Sequence, residues 1–341
     1  MVSAIEPTLQ SGMALLRAEM DRQAADAIAS IGAGAGAARQ VADSIRRTGR
    51  LVLLGMGASH WVNRTAEVLY RRAGIDVVAH PLSELLLVPL PSIERTVLLT
   101  SQSGRSGEVV RYLDLPQDGE ERFGLTLDPS GDLARRVPCL VGHGGVEVAF
   151  AATRSLLVSH ALHHAILAEL GYGGEEGVAA LREPAPVDIG PALATLAGAR
   201  DVLLTARAEL VGVAEAGGLC LMELGRRPTL ALEGGQLRHG PMEVLGPSTG
   251  IVALRGMGPS AELTAGLVAS CRAAGAPCVV LDTSGAQPVA DATVLRLPRR
   301  DGYAAVFTIV PPLLRLLVER AATQVADVGV PVRSSKVTTD P

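Results

Sequence analysis

Hydroxyl residues and glycines interrupt an apolar run near residue 100, and together they have the chemistry to hold an anion. The run over 96–99 is followed by Thr100-Ser101-Gln102-Ser103-Gly104-Arg105-Ser106-Gly107. Serine hydroxyls and the Gln102 amide are hydrogen-bond donors that carry no charge. We therefore predict that this segment binds a phosphate monoester. The structural alternative is an ordinary helix start, because Ser and Gly are common at helix N-caps.

The flanks of this turn predict the elements that position it. The leucine and β-branched residues over 96–99 are typical of a buried parallel strand, and Val109, Val110 and Leu113 recur at helical spacing. A helix that begins at Gly107 directs its free backbone N–H groups toward the turn, where its dipole favours negative charge. The expected arrangement is a strand, an anion-binding turn and a helix.

The same alternation of strands and helices occurs twice along the chain. Predicted strands begin at Leu51, Asp76, Thr96 and Phe123, and similar segments begin at Asp201, Gly250 and Cys278. Strands that alternate with helices indicate a parallel sheet, so the predicted fold class is α/β with two doubly wound parallel-sheet domains in tandem. Because ligands bind beyond the carboxyl ends of such strands, we expect Gly57-Ala58-Ser59 and the turn over 101–106 to line one pocket.

The length of 341 residues exceeds what one hydrophobic core usually supports. We predict an N-terminal helical segment (1–30), a first domain (31–183), a second domain (184–328) and a C-terminal tail (329–341). The proline-rich segment 183–188 is the linker candidate. We expect the tail to close over the ligand pocket.

Composition argues against several classes of protein. Hydrophobic residues make up 48% of the chain but aromatic residues only 2%, which predicts a core of Ala, Val and Leu. A net charge of −4 without a basic run argues against a nucleic-acid partner. No uninterrupted apolar run reaches the ~18 to 20 residues of a membrane span. Since the N-terminus also lacks the pattern of a secretion signal, the expected location is the cytoplasm.

Neither the cysteines nor the histidines predict a metal site. The cysteines, Cys139, Cys220, Cys271 and Cys278, share no C-x-x-C spacing, so we interpret them as buried thiols. His160, His163 and His164 have helical spacing that is compatible with metal binding, but no acidic or cysteine partner is grouped with them. We interpret them as surface and core residues of a helix, and we predict no metal and no cofactor.

Three motifs resemble the tandem sugar isomerase (SIS) domains in the isomerase half of glucosamine-6-phosphate synthase. In chain order they are Gly57-Ala58-Ser59, Ser101-Gln102-Ser103-Gly104 and Gln236-Leu237-Arg238-His239-Gly240-Pro241. The likeness runs over nearly the whole chain, and the third motif is the most specific. In that family such serines hold the sugar phosphate. The resemblance thus implies the phosphate ligands Ser59, Ser101, Gln102, Ser103 and Ser106.

The resemblance also implies that Glu223 is the proton-transfer residue. The matching family glutamate moves a proton between C1 and C2 of the open-chain sugar, and aldose–ketose isomerisation needs one such base. Apolar residues on both sides of Glu223 favour its burial, which moves the pKa of a carboxyl group toward neutral pH. Glu215 is the alternative catalytic acid, and an exposed Glu223 without a function is the structural alternative.

His239 resembles the family histidine that opens the sugar ring from the neighbouring subunit. An imidazole can protonate the ring oxygen and accept the hydroxyl proton near neutral pH. The resemblance therefore implies a homodimer in which His239 is shared across the interface.

Lys336 is the only lysine among the 31 lysine and arginine residues. In the resembled family a lysine near the C-terminus forms a Schiff base with the ketose carbonyl, which an arginine cannot do. When Val337-Thr338 is aligned with the family pattern, that lysine falls at Ser335, one residue earlier. Contact with the substrate without an imine is therefore the alternative role for Lys336.

Two departures from the synthase pattern narrow the predicted activity. The synthase hydrolyses glutamine with an N-terminal cysteine, whereas this chain starts Met1-Val2-Ser3 and has no cysteine before Cys139, so we expect no glutaminase activity. Cys220 also stands where the synthase has a lysine, three residues before the catalytic glutamate. We predict a phosphosugar isomerase or deaminase that acts on an aminosugar or ketose 6-phosphate. The alternatives are a ketosamine-6-phosphate deglycase and a non-enzymatic phosphosugar-binding regulator.

Overall fold

Two five-stranded parallel sheets form the framework of the computed structural model, which describes residues 11–339. The first sheet contains β1 (Arg50–Gly55), β2 (Asp76–Pro81), β3 (Arg95–Thr100), β4 (Glu120–Thr126) and β5 (Cys139–Val141). The second contains β6 (Asp201–Ala206), β7 (Leu230–Glu233), β8 (Thr249–Arg255), β9 (Cys278–Asp282) and β10 (Thr293–Arg296). Predictions that concern residues 1–10 and 340–341 lie outside the described residues.

Helices cover the faces of both sheets. Those of the first half are α1 (Gly12–Thr48), α2 (Gly57–Arg72), α3 (Leu82–Leu87), α4 (Gly107–Asp114), α5 (Asp132–Arg136), α6 (Arg154–Glu169) and α7 (Glu175–Arg182). Those of the second half are α8 (Gly190–Leu196), α9 (Leu210–Gly225), α10 (Gly234–Arg238), α11 (Pro259–Ala273) and α12 (Gly302–Ala322), with a 3₁₀ turn at Pro241–Val244.

The two sheets have the same strand order. The first runs β2-β1-β3-β4-β5, and the second, from its opposite edge, runs β7-β6-β8-β9-β10. The strands β3 and β8 are buried along their full length, as the near-continuous apolar runs predict for parallel strands covered on both faces. The predicted α/β class with two doubly wound sheets in tandem is confirmed. In each sheet the direction of winding reverses beside the first strand, where a crevice opens at the carboxyl edge.

The edge strands β5, β7 and β10 are the strands that the sequence did not predict. Each has only three or four residues and is partly exposed, so its side chains do not form a readable pattern. The helix α1 is continuous over Gly12–Thr48 and runs through position 30, where the sequence suggested the end of an N-terminal segment. The linker candidate over 183–188 does connect α7 to α8.

The two halves meet through α2 and α9, which pack directly against each other. A Cβ atom at Gly212 would overlap the carbonyl oxygen of Trp61 and the side chain of Thr65. The glycine therefore allows the two helix backbones to approach closely. This contact brings the C-terminal end of α9 to the carboxyl edge of the first sheet.

The helix α12 belongs to the core. It is the only helix within residues 11–339 whose length and composition would suit a membrane span, and 72% of its most apolar window is buried inside the fold. Pro311, Pro312 and Arg315 lie within it. Its apolar character is accounted for by packing against α9 and α7.

Candidate active site

A cavity of ≈ 450 Å³ lies at the carboxyl edge of the first sheet, beside the ends of β1 and β3. Both predicted turns line it, so the expectation of a shared pocket is correct. Its polar lining includes Ser59, Ser101, Gln102, Ser103, Ser106, Glu223 and Lys336. All of the sequence-predicted site residues except His239 are thus brought together in one chain.

The turn over 101–106 takes its shape from its own hydroxyl groups. Gly104 adopts a left-handed conformation with φ of +61°, which a glycine tolerates best. The Gly104 N–H donates to Ser101 Oγ over 3.1 Å, and the Arg105 N–H donates to Ser103 Oγ over 3.2 Å. Because each hydroxyl oxygen already accepts a backbone proton, its own O–H proton is available to an anion.

Two helices begin at the cavity without a side-chain cap. The N-cap residue of α2 is Met56 and that of α4 is Ser106, and neither side chain accepts a hydrogen bond from its helix. The Gly107 N–H instead donates to the Thr338 carbonyl oxygen of the C-terminal tail. Gln102 Nε2 is buried and has no partner within residues 11–339. Free donors and the positive ends of two helix dipoles therefore meet where an anion would be stabilised.

Glu223 lies near the C-terminal end of α9, half-buried at the cavity wall. Burial raises the pKa of its carboxyl group from 4.5 to about 7; the charge of Lys336 opposes this shift and that of Glu147 adds to it. A carboxyl group that titrates near pH 7 can take a proton from carbon and return it.

Lys336 enters the cavity from the C-terminal tail, where residues 334–338 form part of the wall. Its ammonium group donates to Glu147 Oε2 over 3.0 Å and to the Phe150 carbonyl oxygen over 3.3 Å. The amine is therefore held by two acceptors on one loop of the first half.

Glu147 is the site residue that sequence reasoning missed. Its side chain is fully buried and accepts hydrogen bonds from the backbone N–H and hydroxyl groups of both Thr153 and Ser155. Burial acts to raise the pKa of Glu147, but the charge of Lys336 and these hydrogen bonds outweigh it and lower that pKa. The available signal was an acidic residue in an apolar, glycine-rich loop followed by two hydroxyl residues.

The alternative acid and the loop histidine lie elsewhere. Glu215 lines a separate cavity of ≈ 350 Å³ beside Arg64 and Glu67, where burial raises its pKa to about 6. His239 ends α10, is exposed, and is not part of the wall of the serine-lined cavity. The sharing of His239 across a dimer interface stays a prediction.

The histidines of α6 are core residues. All three are buried, so the interpretation that some of them lie on the helix surface is wrong. Burial lowers the pKa to about 3 for His160 and His163 and to about 4 for His164, which keeps the rings neutral. Within residues 11–339 no group of three or more His, Cys, Asp or Glu residues has an arrangement suited to a metal ion. All four cysteines are free thiols, and all but the half-buried Cys139 are buried.

The second half matches a known family. Residues 195–318 match the SIS domain. The whole chain is 25% identical over 308 residues to the glutamine–fructose-6-phosphate aminotransferase (isomerizing) of Zymomonas mobilis, an alignment that covers 84% of this chain and 50% of that protein. The chain is homologous to the isomerase domain of that enzyme and spans about half the length of the curated relatives it matches.

Two solved structures share the fold of both halves of this chain. The C-terminal domain of glucosamine-fructose-6-phosphate aminotransferase from Francisella tularensis superposes with a TM-score of 0.80 at 17% identity, covering 97% of this chain and 100% of that one. Tagatose-6-phosphate ketose/aldose isomerase from Escherichia coli gives a TM-score of 0.76 at 18% identity, covering 94% and 97%. The tandem sheets therefore have the same fold as these two proteins.

Proposed function

We propose that this SIS-domain protein is a phosphosugar isomerase that moves a proton between C1 and C2 of an aminosugar or ketose 6-phosphate. The observation that carries the proposal is the position of Glu223. Its carboxyl group, with a pKa of about 7, lines the same cavity as the serine turn and two uncapped helix starts. A base and an anion-binding site in one cavity are what an isomerase of phosphorylated sugars requires.

The phosphate end of the substrate is bound by the turn over 101–106. Ser101, Ser103 and Ser106 offer hydroxyl protons, Gln102 offers its amide, and Ser59 adds a hydroxyl at the start of α2. These donors are neutral, so the favourable charge comes from the dipoles of α2 and α4. A phosphate held at one end fixes the position of the carbonyl end, which lowers the entropic cost of the proton transfer.

The proton transfer runs through Glu223. In a ketose the carboxylate takes a proton from C1, the C–H electron pair forms the C1=C2 bond, and the carbonyl pair moves onto O2. The carboxyl group then returns the proton to C2, while the O1 hydroxyl proton moves to O2 and C1 becomes the carbonyl carbon. Atoms and electrons balance without a cofactor.

The remaining roles concern ring opening and assembly. His239 is exposed and lies outside the cavity of its own chain, so we propose that it opens the sugar ring in the cavity of a second copy within a homodimer. We also propose a cytoplasmic location, where sugar phosphates are available. Lys336 completes the carbonyl end of the cavity.

The experiment that tests the function is proton NMR of glucosamine 6-phosphate, and of fructose 6-phosphate with ammonium, incubated with the protein in deuterated water. We expect deuterium at C1 or C2. In Glu223→Gln the exchange falls about 100- to 10,000-fold because the base is lost, while phosphosugar binding persists. Glu215→Gln is the matched control and leaves exchange within about twofold, since its cavity is separate.

Three results would contradict the proposal. Undiminished exchange in Glu223→Gln would assign the proton transfer to another group. Tight phosphosugar binding by the wild type without any exchange would favour a regulator that only binds, and exchange limited to larger sugar–amine adducts would favour a deglycase.

A further inference from the structure

Lys336, which lines the candidate active site, forms an ion pair with the buried Glu147. We propose that Glu147 is a positioning residue that keeps Lys336 as an ammonium ion, so that Lys336 donates a hydrogen bond to the enolate oxygen and forms no imine. The inference rests on the proposed function, because it assigns the role of Lys336 in the same enolisation.

The carboxylate of Glu147 is fixed in place by its neighbours. Its Oε1 atom accepts from Thr153 N and Thr153 Oγ1, both over 2.9 Å, and from Ser155 N over 3.2 Å. Its Oε2 atom accepts from Ser155 Oγ over 2.6 Å and from Lys336 Nζ over 3.0 Å. Four donors from one short segment hold the Glu147 carboxylate in place. The fixed carboxylate therefore determines the position of the Lys336 ammonium group.

The donor count of Lys336 leaves one proton for a substrate. An ammonium group has three N–H donors. Glu147 Oε2 takes one of them and the Phe150 carbonyl oxygen takes another, which leaves the third for an oxygen in the cavity. The side chain lines the cavity and keeps 24% of its surface exposed, which is compatible with an N–H that reaches a substrate.

Imine formation is incompatible with these contacts. Attack on a carbonyl requires the neutral amine, and removing the ammonium proton would leave the buried Glu147 carboxylate without its cation, which is strongly unfavourable. The protonated imine that follows has a single N–H, which cannot serve both Glu147 and Phe150. Retaining the ammonium ion keeps the hydrogen bonds to both Glu147 and Phe150.

The ion pair also determines which of the two carboxyl groups near Lys336 is ionised. Two carboxylates, Glu147 and Glu223, face one ammonium group, and Glu147 has the closer contact and the additional donors. Glu147 is therefore ionised, and Glu223 is left to titrate near neutral pH. Removing the charge of Glu147 would free Lys336 to stabilise the Glu223 carboxylate.

The first test compares two replacements of Lys336 in the full-length protein. Arginine stays charged and donates N–H groups, but it cannot form an imine. Methionine can neither donate a hydrogen bond nor form an imine. We expect Lys336→Arg to keep deuterium exchange within about tenfold of wild type and Lys336→Met to lose about 100-fold or more. Equal loss in both variants, together with a wild-type adduct in the second test, would overturn the proposal.

The second test looks for the imine directly. Wild-type protein is treated with fructose 6-phosphate and sodium borohydride, and its intact mass is measured. We expect deuterium exchange into the sugar phosphate and no sugar adduct on the protein. An adduct on Lys336 would overturn this inference while leaving the proposed function intact. No exchange with any phosphosugar would instead overturn the proposed function, and with it the enolate as the partner of Lys336.

A third measurement separates positioning from a purely structural role. Glu147→Gln should move the acid limb of the pH–rate profile down by about one unit, because Glu223 loses a like charge and gains the freed Lys336. The exposed Glu175→Gln makes the same charge change away from the cavity and should leave the profile unmoved. A Glu147→Gln variant that folds and shows an unshifted profile would contradict the division of charges.

Discussion

The carboxyl edges of the two sheets start from the same topology and end as different surfaces. In the first sheet, β3 is followed by Ser101-Gln102-Ser103-Gly104, and a cavity of ≈ 450 Å³ remains open beside it. In the second sheet, the equivalent strand β8 is followed by Gly256-Met257-Gly258, which supplies no hydroxyl or amide side chain. Equivalent crevices therefore carry different chemistry, because their turns present different donors.

The helices that pack between the halves show the same contrast. Glu223 near the end of α9 and Arg72 at the end of α2 lie at equal sequence distances from the starts of β6 and β1. Glu223 faces the open cavity, whereas Arg72 is paired with Glu209 over 2.7 Å and Asp301 over 3.5 Å. At the carboxyl edge of the first sheet this position holds a titratable acid, and in the second half the equivalent position holds an arginine that is neutralised by two carboxylates. The duplicated fold provides two crevices, and their side chains distinguish the candidate active site from the other crevice.

The largest expected effect comes from removing the donors that distinguish the two turns. The double variant Ser101→Ala with Ser103→Ala should weaken phosphosugar binding about 100-fold, since each hydroxyl bond to a charged group contributes about 1.5 kcal/mol or more. Ser260→Ala, after the equivalent turn of the second half, is the control and should bind normally. Isothermal titration with fructose 6-phosphate measures both. If Ser260→Ala weakened phosphosugar binding equally, the crevice of the second sheet would also contribute to binding.

A smaller effect is expected at the contact that joins the halves. In Gly212→Ala the new methyl group meets the Trp61 carbonyl and Thr65, so α2 and α9 must separate, at a cost of about 2–3 kcal/mol. Gly32→Ala in α1 has open space and should stabilise the protein by about 0.5–1 kcal/mol. Thermal unfolding compares the two. An unchanged midpoint in Gly212→Ala would contradict the close approach of the helices.

The smallest effect is expected from opening the ion pairs of the second half. Arg72→Met leaves the buried Glu209 without its cation and should cost about 1–2 kcal/mol at pH 8. Burial raises the pKa of Glu209, and the charge of Arg72 opposes that shift. Removing Arg72 therefore raises the pKa of Glu209 further. The penalty belongs to the ionised form, and it therefore declines as the pH falls toward 5.

Denaturant unfolding at the two pH values measures this dependence. The exposed Arg182→Met serves as the control and should change stability little at either pH. A penalty in Arg72→Met that stayed constant between pH 8 and pH 5 would mean that Glu209 is not the group left uncompensated.

The central strands and the edge strands mark how much of the fold could be predicted from the sequence. The buried strands β1, β3, β6, β8 and β9 were predicted because apolar runs that end in turn residues are a local signal. The short strands β5, β7 and β10 have no such run, and they form because a neighbouring strand already offers free backbone groups. Pairing with a neighbouring strand depends on the tertiary structure, so a local sequence pattern does not predict it.

The candidate site divides in the same way. The sequence by itself determined the shape of the turn over 101–106, because a strand end, a left-handed glycine and a helix start are decided by adjacent residues. Only the tertiary structure brought Glu223 to that turn and paired Lys336 with Glu147 across 189 residues of sequence. Burial and charge pairing depend on which distant segments pack together, and these interactions set the pKa values on which the proposed chemistry depends.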